Sequence, residues 1–449
     1  MRLFLTIGQG MLLPSLTERS RGRVSFINCR GWRVRLLLFS LLIANPAIAQ
    51  ERDSVSHWGF SASISPGRLI VMDNYQKRWQ RKKQTMAFAV EANHTELPSD
   101  NNPYASDFNY PLISFGAKLN LNDITMHRSP DPAWGMAQEV DYDSRMGNVL
   151  SAYATFTRTI YRQRHWSFDY SLGTGISYAE HKYSNGNNID NELIGSRFLV
   201  YFTCGLHATY RFARQWGVMG GMEFYHHSNG ALNRPNKGAN IVGPVVGVRY
   251  MPYYDEVLNG KKTATASTKQ FNRYWFVNIG ASIGAKTLNE DWQLTQFHTH
   301  PDSARYRTGR FRMYTAYALQ ADVMWRYARR WATGLGTDLF YGTYADRVKE
   351  VEPLFMRQEE PLKVSPWSWG LALKHHVYYG NLSAQMSLGY YLYRHMGTNA
   401  KEVEQPYYER IGVHYSFPRL GGLTIGACVK AHLTKADLTE IIISYPLSL

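Results

Sequence analysis

Apolar and polar residues alternate with a period of two along most of this chain. The stretches "TMAFAVEA" (85–92), "LSAYATFTRTIYR" (150–162), "WSFDYSLGTGISYA" (166–179) and "SRFLVYFTCGLHATYRF" (196–212) show it. So do "RYWFVNIGASIGA" (273–285), "FRMYTAYALQADVMWRY" (311–327), "LSAQMSLGYYLYR" (382–394), "LTIGACVKAHL" (423–433) and "LTEIIISYPL" (438–447). Successive side chains of a strand point to opposite faces, so the pattern predicts strands with one apolar and one polar face. Clusters of Gly, Asn, Asp and Pro between them predict turns. Many of these stretches match the ~9–11 residues that cross a bilayer as a tilted strand, whereas soluble strands average about five or six. No stretch after residue 50 approaches the ~20 apolar residues of a spanning helix. The prediction is an all-β fold, an antiparallel transmembrane β-barrel of roughly 12–16 strands.

The aromatic content strengthens that reading. The chain holds 31 Tyr and 12 Trp, and many sit near strand ends, as in "MWRYARRW" (324–331) and "HVYYGN" (376–381). Barrels carry aromatic girdles at both membrane interfaces. A soluble β-sandwich with Tyr-rich strands is the competing architecture.

The N-terminus adds an export signal. Arg33 and Arg35 precede "LLLFSLLIA" and then "NPAIAQ". A basic region, a short apolar segment and a small-residue site predict a signal peptide cut after Ala49, within a 1–49 segment whose long lead-in points to a misplaced start codon. Residues 1–49 hold seven Arg and one Glu, so the remainder keeps about +9 of the +15 formal charge. Such a charge favours anionic partners, and export turns the choice from nucleic acid toward a phosphate-bearing lipid surface. Cys204 and Cys428 remain after the leader, too few and too distant for a disulfide scaffold, and are expected to be unpaired. Residues 50–265 form one barrel region, and 266–449 supply further strands of the same barrel or of a second β unit.

The candidate chemistry lies in "EFYHHSNGALNRPNKGANIVGPVVGVRY" (223–250). Strand parity puts Val218, Gly220, Met222, Phe224, His226 and Ser228 on one face, the more apolar one, which in a barrel faces lipid. Glu223 falls on the lumen face. In the return strand Asn240, Val242, Pro244, Val246, Val248 and Tyr250 face lipid, and Arg249 faces the lumen. His226, Ser228 and Asn240 therefore share the outer wall at one end of one hairpin. A serine hydroxyl needs a base to take its proton, and histidine suits that role near neutral pH. Asn229 offers an amide and an N–H as oxyanion donors.

A weak repeat isolates this hairpin. Residues 210–230 align without gaps to 325–345, matching Arg211, Ala213, Arg214 and Trp216 to Arg326, Ala328, Arg329 and Trp331. The second copy has Tyr341 in place of His226 and Thr343 in place of Ser228, so only the first can carry this chemistry.

"HHSNGALNRPNKGAN" resembles the signature of the lipid A 3-O-deacylases of the PagL type, outer-membrane esterases of the acyloxyacyl hydrolase group. The match runs through His226, Ser228, Asn229, Pro235, Asn236 and Gly238, over about 40 residues closely and 85–255 loosely. The resemblance implies Ser228 as nucleophile, His226 as general base, Asn229 in the oxyanion hole and lipid A of the outer leaflet as substrate, with no metal or cofactor. The family's triad acid falls on Asn240, which can fix the imidazole tautomer but supplies no charge. Glu223 is the nearest acid in sequence but points inward by parity. The alternative is a non-catalytic barrel: a channel, a structural protein or a lipopolysaccharide-binding protein.

Other features carry less. His298 and His300 in "FHTHPD" could bind metal, but no further ligands cluster with them. His375 and His376 are expected to straddle a strand. The basic run "QKRWQRKKQ" (76–84) could meet lipid phosphates. No P-loop, dinucleotide fingerprint or zinc pattern occurs.

Overall fold

The computed structural model describes residues 55–127, 140–263, 271–296, 309–354, 362–402, 404–433 and 435–449. The expected signal peptide and the His298/His300 pair lie outside the described residues. The first run of strands is β1 (Trp58–Ile70), β2 (Gln80–His94), β3 (Leu112–Met126), β4 (Val149–Arg162), β5 (Trp166–Ala179), β6 (Phe198–Arg211), β7 (Trp216–Ser228) and β8 (Ala239–Tyr250). The second is β9 (Tyr274–Thr287), β10 (Met313–Ala328), β11 (Trp331–Gly342), β12 (Val364–Tyr379), β13 (Leu382–Met396), β14 (Tyr407–Phe417), β15 (Leu423–His432) and β16 (Lys435–Ser448).

These strands form two barrels rather than one. In the first, each strand pairs antiparallel with its neighbour in sequence, and β1 closes on β8 with Ile64 opposite Val246. A two-residue strand, Ser144–Arg145, adds to the end of β3. The second barrel closes β9 on β16, with Ile279 opposite Tyr445. No helix among the described residues is long and apolar enough to cross a membrane.

The alternation turns both barrels inside out relative to a soluble protein. Leu172, Ile176, Leu206, Val218, Met222, Val246 and Val248 are exposed on the first wall, and Leu319, Leu335, Leu371 and Ile443 on the second. Such apolar area is stable only against lipid, at about 25 cal/mol per Å² withheld from water. The lumens hold the charges. Lys118 Nζ lies 2.8 Å from Glu223 Oε2, and Arg249 Nη1 lies 3.0 Å from Asp169 Oδ2. In the second barrel Lys374 Nζ lies 2.7 Å from Asp338 Oδ1, and Arg410 Nε lies 2.8 Å from Glu440 Oε1. These buried charges are paired, as the cost of desolvating an ion requires. Aromatic pairs mark strand ends, among them Trp166 with Tyr210, Trp216 with Tyr250, Trp275 with Trp325, and Tyr178 with Phe198.

The two ends of each barrel differ. At one end most connections are tight, such as residues 163–165, 212–215, 329–330 and 380–381. There Arg211 Nε donates to Arg214 O at 2.7 Å and Arg326 Nη2 donates to Arg329 O at 2.7 Å, so the aligned repeats close their turns in the same way. At the other end lie the long connections 71–79, 127–148, 180–197, 229–238, 288–312 and 343–363. The barrels touch at the tight-turn end, where Arg326 Nη2 donates to the Tyr104 hydroxyl at 3.1 Å and Arg329 Nη1 meets Asp107 Oδ2 at 3.2 Å, and again at the long-loop end, where the 229–238 connection meets Thr287 and Thr439. Cys204 and Cys428 are unpaired, one in each barrel.

Candidate active site

The β7–β8 hairpin opens at the long-loop end of the first barrel. Its register sets His226 opposite Asn240. His226 Nδ1 lies 2.7 Å from Asn240 Oδ1. With that oxygen accepting, the imidazole proton is held on Nδ1 and the lone pair stays on Nε2. Ser228 stands two residues further along β7, so its side chain leaves the strand on the same face. The residue is buried, and its hydroxyl makes no hydrogen bond among the described residues. The structure thus joins His226 to Asn240 and places Ser228 beside them without a hydrogen bond to the imidazole.

Gly238 sets the position of the ring. It has φ +73°, and a Cβ there would stand 2.4 Å from His226 Cε1. Only glycine allows the loop to pass so close to the imidazole.

The loop between the strands is folded by asparagines. The Asn229 N–H donates to Asn236 Oδ1 at 2.8 Å, and Asn229 Nδ2 donates to Asn233 O at 3.0 Å. Asn233 N–H returns a bond to Asn229 Oδ1 at 3.3 Å. The N–H of Asn229, expected to serve an oxyanion, is therefore already used inside the loop, and its amide is turned to the same purpose. The N–H groups of Gly230 and Ala231 have no hydrogen-bond partner among the described residues. Both residues are left-handed, with φ +61° and +70°. For Ala231 that conformation costs about 1–2 kcal/mol, so its surroundings must hold it there.

Two neighbours clamp this loop. From the 180–197 connection, Glu192 O and Leu193 O accept from the N–H groups of Lys237 and Gly238 at 3.1 and 3.0 Å. Lys237 Nζ also bridges Asp73 Oδ2 at 2.6 Å and Glu192 Oε2 at 2.5 Å. Burial works to lower the Lys237 pKa, but the two carboxylates outweigh it and hold the ammonium above its ordinary value. From the second barrel, Thr287 N–H and Oγ1 donate to Ala231 O at 2.8 and 3.0 Å, and Thr439 Oγ1 donates to Gly230 O at 2.6 Å. Arg234 Nε donates to Thr287 O at 3.1 Å. Sequence reasoning met Gly238 only as a residue of the family signature and named none of Lys237, Thr287 or Thr439. The positive-φ glycine was legible in the turn chemistry, but the threonines lie far away along the chain.

The remaining polar groups are structural. Glu223 points into the lumen, bonded to Lys118 and 3.5 Å from His207 Nε2. His375 Nδ1 meets Thr333 Oγ1 at 2.8 Å on the wall, whereas His376 is buried in the lumen. Glu404, His432 and Asp437 bring ligand atoms within 4.8 Å of one another. Their acceptors are already engaged: Lys286 and Lys430 bind Asp437, and Arg394 binds both Glu404 and His432. Cations of the chain itself fill that cluster. Lys77, Arg78, Arg81 and Lys82 are exposed on the 71–79 connection and the start of β2, at the same end as the hairpin.

Closed antiparallel barrels with apolar outer walls and charged lumens define an outer-membrane β-barrel protein. Two family models match the chain. Lipid A 3-O-deacylase (PagL) matches residues 113–249, and the C-terminal domain of acyloxyacyl hydrolase matches residues 272–448. Together these span more than half of the sequence, and the chain belongs to the PagL family of outer-membrane lipid A deacylases, which are ester hydrolases. No curated protein matches it. Among solved structures, the outer-membrane enzyme PagL is 14% identical, with 43% of this chain and 99% of that one covered, at a TM-score of 0.26. OccK9 (OpdG) of Pseudomonas aeruginosa is 10% identical over 87% of this chain and 98% of its own, at 0.19. The TodX toluene transporter of Pseudomonas putida is 9% identical over 91% and 92%, at 0.17.

Proposed function

We propose that the protein removes an ester-linked acyl chain from lipid A by a serine–histidine mechanism carried by Ser228 and His226. The observation that carries this is the 2.7 Å contact of His226 Nδ1 with Asn240 Oδ1 on the lipid-facing wall, which leaves Nε2 free as a base beside Ser228. Nε2 takes the Ser228 proton as Oγ attacks the ester carbonyl, and the carbonyl π electrons move to its oxygen. That oxyanion is received by the unpartnered N–H groups of Gly230 and Ala231. The tetrahedral centre collapses, the C–O bond to the sugar breaks, and His226 returns the proton to the departing sugar oxygen. Water then repeats the cycle on the acyl-serine and frees the fatty acid.

Location supports this substrate. Outer-membrane barrels keep short turns in the periplasm and long loops outside. The hairpin lies at the long-loop end, level with the leaflet that carries lipid A, and its site faces the acyl region from the wall. The exposed basic residues at that end suit the phosphates of such a head group.

Asn240 favours a second reading in one respect. A carboxamide orients the imidazole but adds no charge against the imidazolium, which suits a slow enzyme or a lipopolysaccharide-binding barrel. Lipid A from outer membranes expressing the wild type or Ser228→Ala decides between them by mass spectrometry. Loss of one acyl chain with the wild type alone is expected. Identical spectra would leave the binding reading in place.

A further inference from the structure

We propose that Thr439 of the second barrel is a positioning residue for the first barrel's active site, an inference that rests on the esterase reading above. Thr439 lies on β16, whose inward face is Leu438, Glu440, Ile442 and Ser444, so its own side chain stands on the outer wall. Its hydroxyl donates to Gly230 O at 2.6 Å. The peptide joining Gly230 to Ala231 is planar and trans, so its C=O and its N–H point in opposite directions. A hydroxyl that fixes the Gly230 carbonyl toward the second barrel therefore fixes the Ala231 N–H away from it. That N–H is one of the two donors left free for the oxyanion, three residues on from Ser228. The accepted hydrogen bond also polarises the peptide and strengthens the N–H as a donor.

Thr287 completes the device. Its N–H and hydroxyl both bond Ala231 O, the next carbonyl, and hold Ala231 in its left-handed conformation. Both sides of the donor peptide are thus held by residues more than 50 positions away, on another barrel. The fit is tight: a Cβ on Gly230 would stand 2.1 Å from Thr439 Oγ1. The second barrel, whose own equivalent of the hairpin lacks His226 and Ser228, acts as the outer half of the mould for the catalytic turn.

The test uses the full chain in lipid vesicles with lipid A as substrate. Thr439→Val keeps the shape and removes the donor. It should lower kcat roughly tenfold with KM unchanged, as expected when one oxyanion donor is misaligned rather than deleted. Thr439→Ser should restore most of the rate. If Thr439→Val does not assemble, Gly230→Ala displaces the same hydroxyl and should give the same fall in kcat. A Val variant with wild-type kcat overturns the proposal. So does a loss of thermal stability and of both constants that Ser does not restore, because that marks a packing role. A wild type inert toward lipid A sinks the esterase reading and this proposal with it, whereas an active wild type beside an unaffected Val variant sinks this proposal alone.

Discussion

Where the first barrel pairs His226 with Asn240, the second pairs Tyr341 with Trp367. The strands are otherwise alike. Both begin at a tryptophan after an arginine-closed turn, and both carry an inward acid bonded to a lysine, Glu223 to Lys118 and Asp338 to Lys374. The difference that bears on the site lies in the last few outward positions. In the second barrel the rings of Tyr341 and Trp367 meet edge to face at 4.8 Å, as an interfacial girdle does. Thr343, in the place of Ser228, donates its hydroxyl to Thr315 O at 2.8 Å and so has no free role. At three outward positions, His226, Ser228 and Asn240 against Tyr341, Thr343 and Trp367, the two hairpins thus present different chemistry.

Breaking the comparison begins with the proposed nucleophile. Ser228→Ala should abolish lipid A deacylation, by about a thousandfold or more in kcat, while Thr343→Ala leaves the lipid A mass spectrum unchanged. Loss of activity from the second substitution would mean the barrels share the chemistry. The lumen pairs should respond equally. Lys118→Met and Lys374→Met each strand a buried carboxylate, and each should cost about 3 kcal/mol in denaturant unfolding. A silent Lys374→Met would show that the second barrel stands without its charges.

Gly238→Ala tests the ring's seat. A methyl 2.4 Å from Cε1 must displace the imidazole, and kcat should fall about a hundredfold, with about 1–2 kcal/mol of stability lost to the left-handed backbone. Asn240→Asp sharpens the comparison in the opposite direction, because it supplies the charge the imidazolium lacks. An increase of roughly tenfold in kcat is expected; a decrease would show that a carboxylate on the lipid wall costs more than it contributes. The smallest effect concerns Lys237. Its folded pKa is raised, so its contribution to loop stability is whole below the unfolded value of about 10.4 and is lost as pH rises through the folded one. Amide exchange at Gly238 should therefore speed up above that pH, beyond the intrinsic rise, and should do so less in Lys237→Met.

The strands and the wall dyad were legible because both follow from a period of two. Parity alone put His226 and Asn240 outside and Glu223 inside, and the structure finds them there. The division of the strands into two rings was not legible. Closure depends on β1 meeting β8 and β9 meeting β16, pairings between residues about 170 positions apart whose alternation looks like any other strand's. Asn229 shows a different limit. A side-chain amide beside a serine suits an oxyanion or a loop equally well, and only the folded turn, with Asn233 and Asn236 in reach, commits it to the loop. Thr287 and Thr439 sit in ordinary strand sequence, and nothing local marks them as neighbours of residue 230.

The packed lumens carry one last consequence. Eight strands enclose a space just wide enough for their own side chains, and here lysines, arginines, carboxylates and tyrosines fill it. A cell could thus lodge this hydrolase in its outermost permeability barrier at high copy number without opening a leak to antibiotics or bile salts. With the lumens filled, the proposed lipid substrate would reach Ser228 from the outside wall, by diffusion within the leaflet.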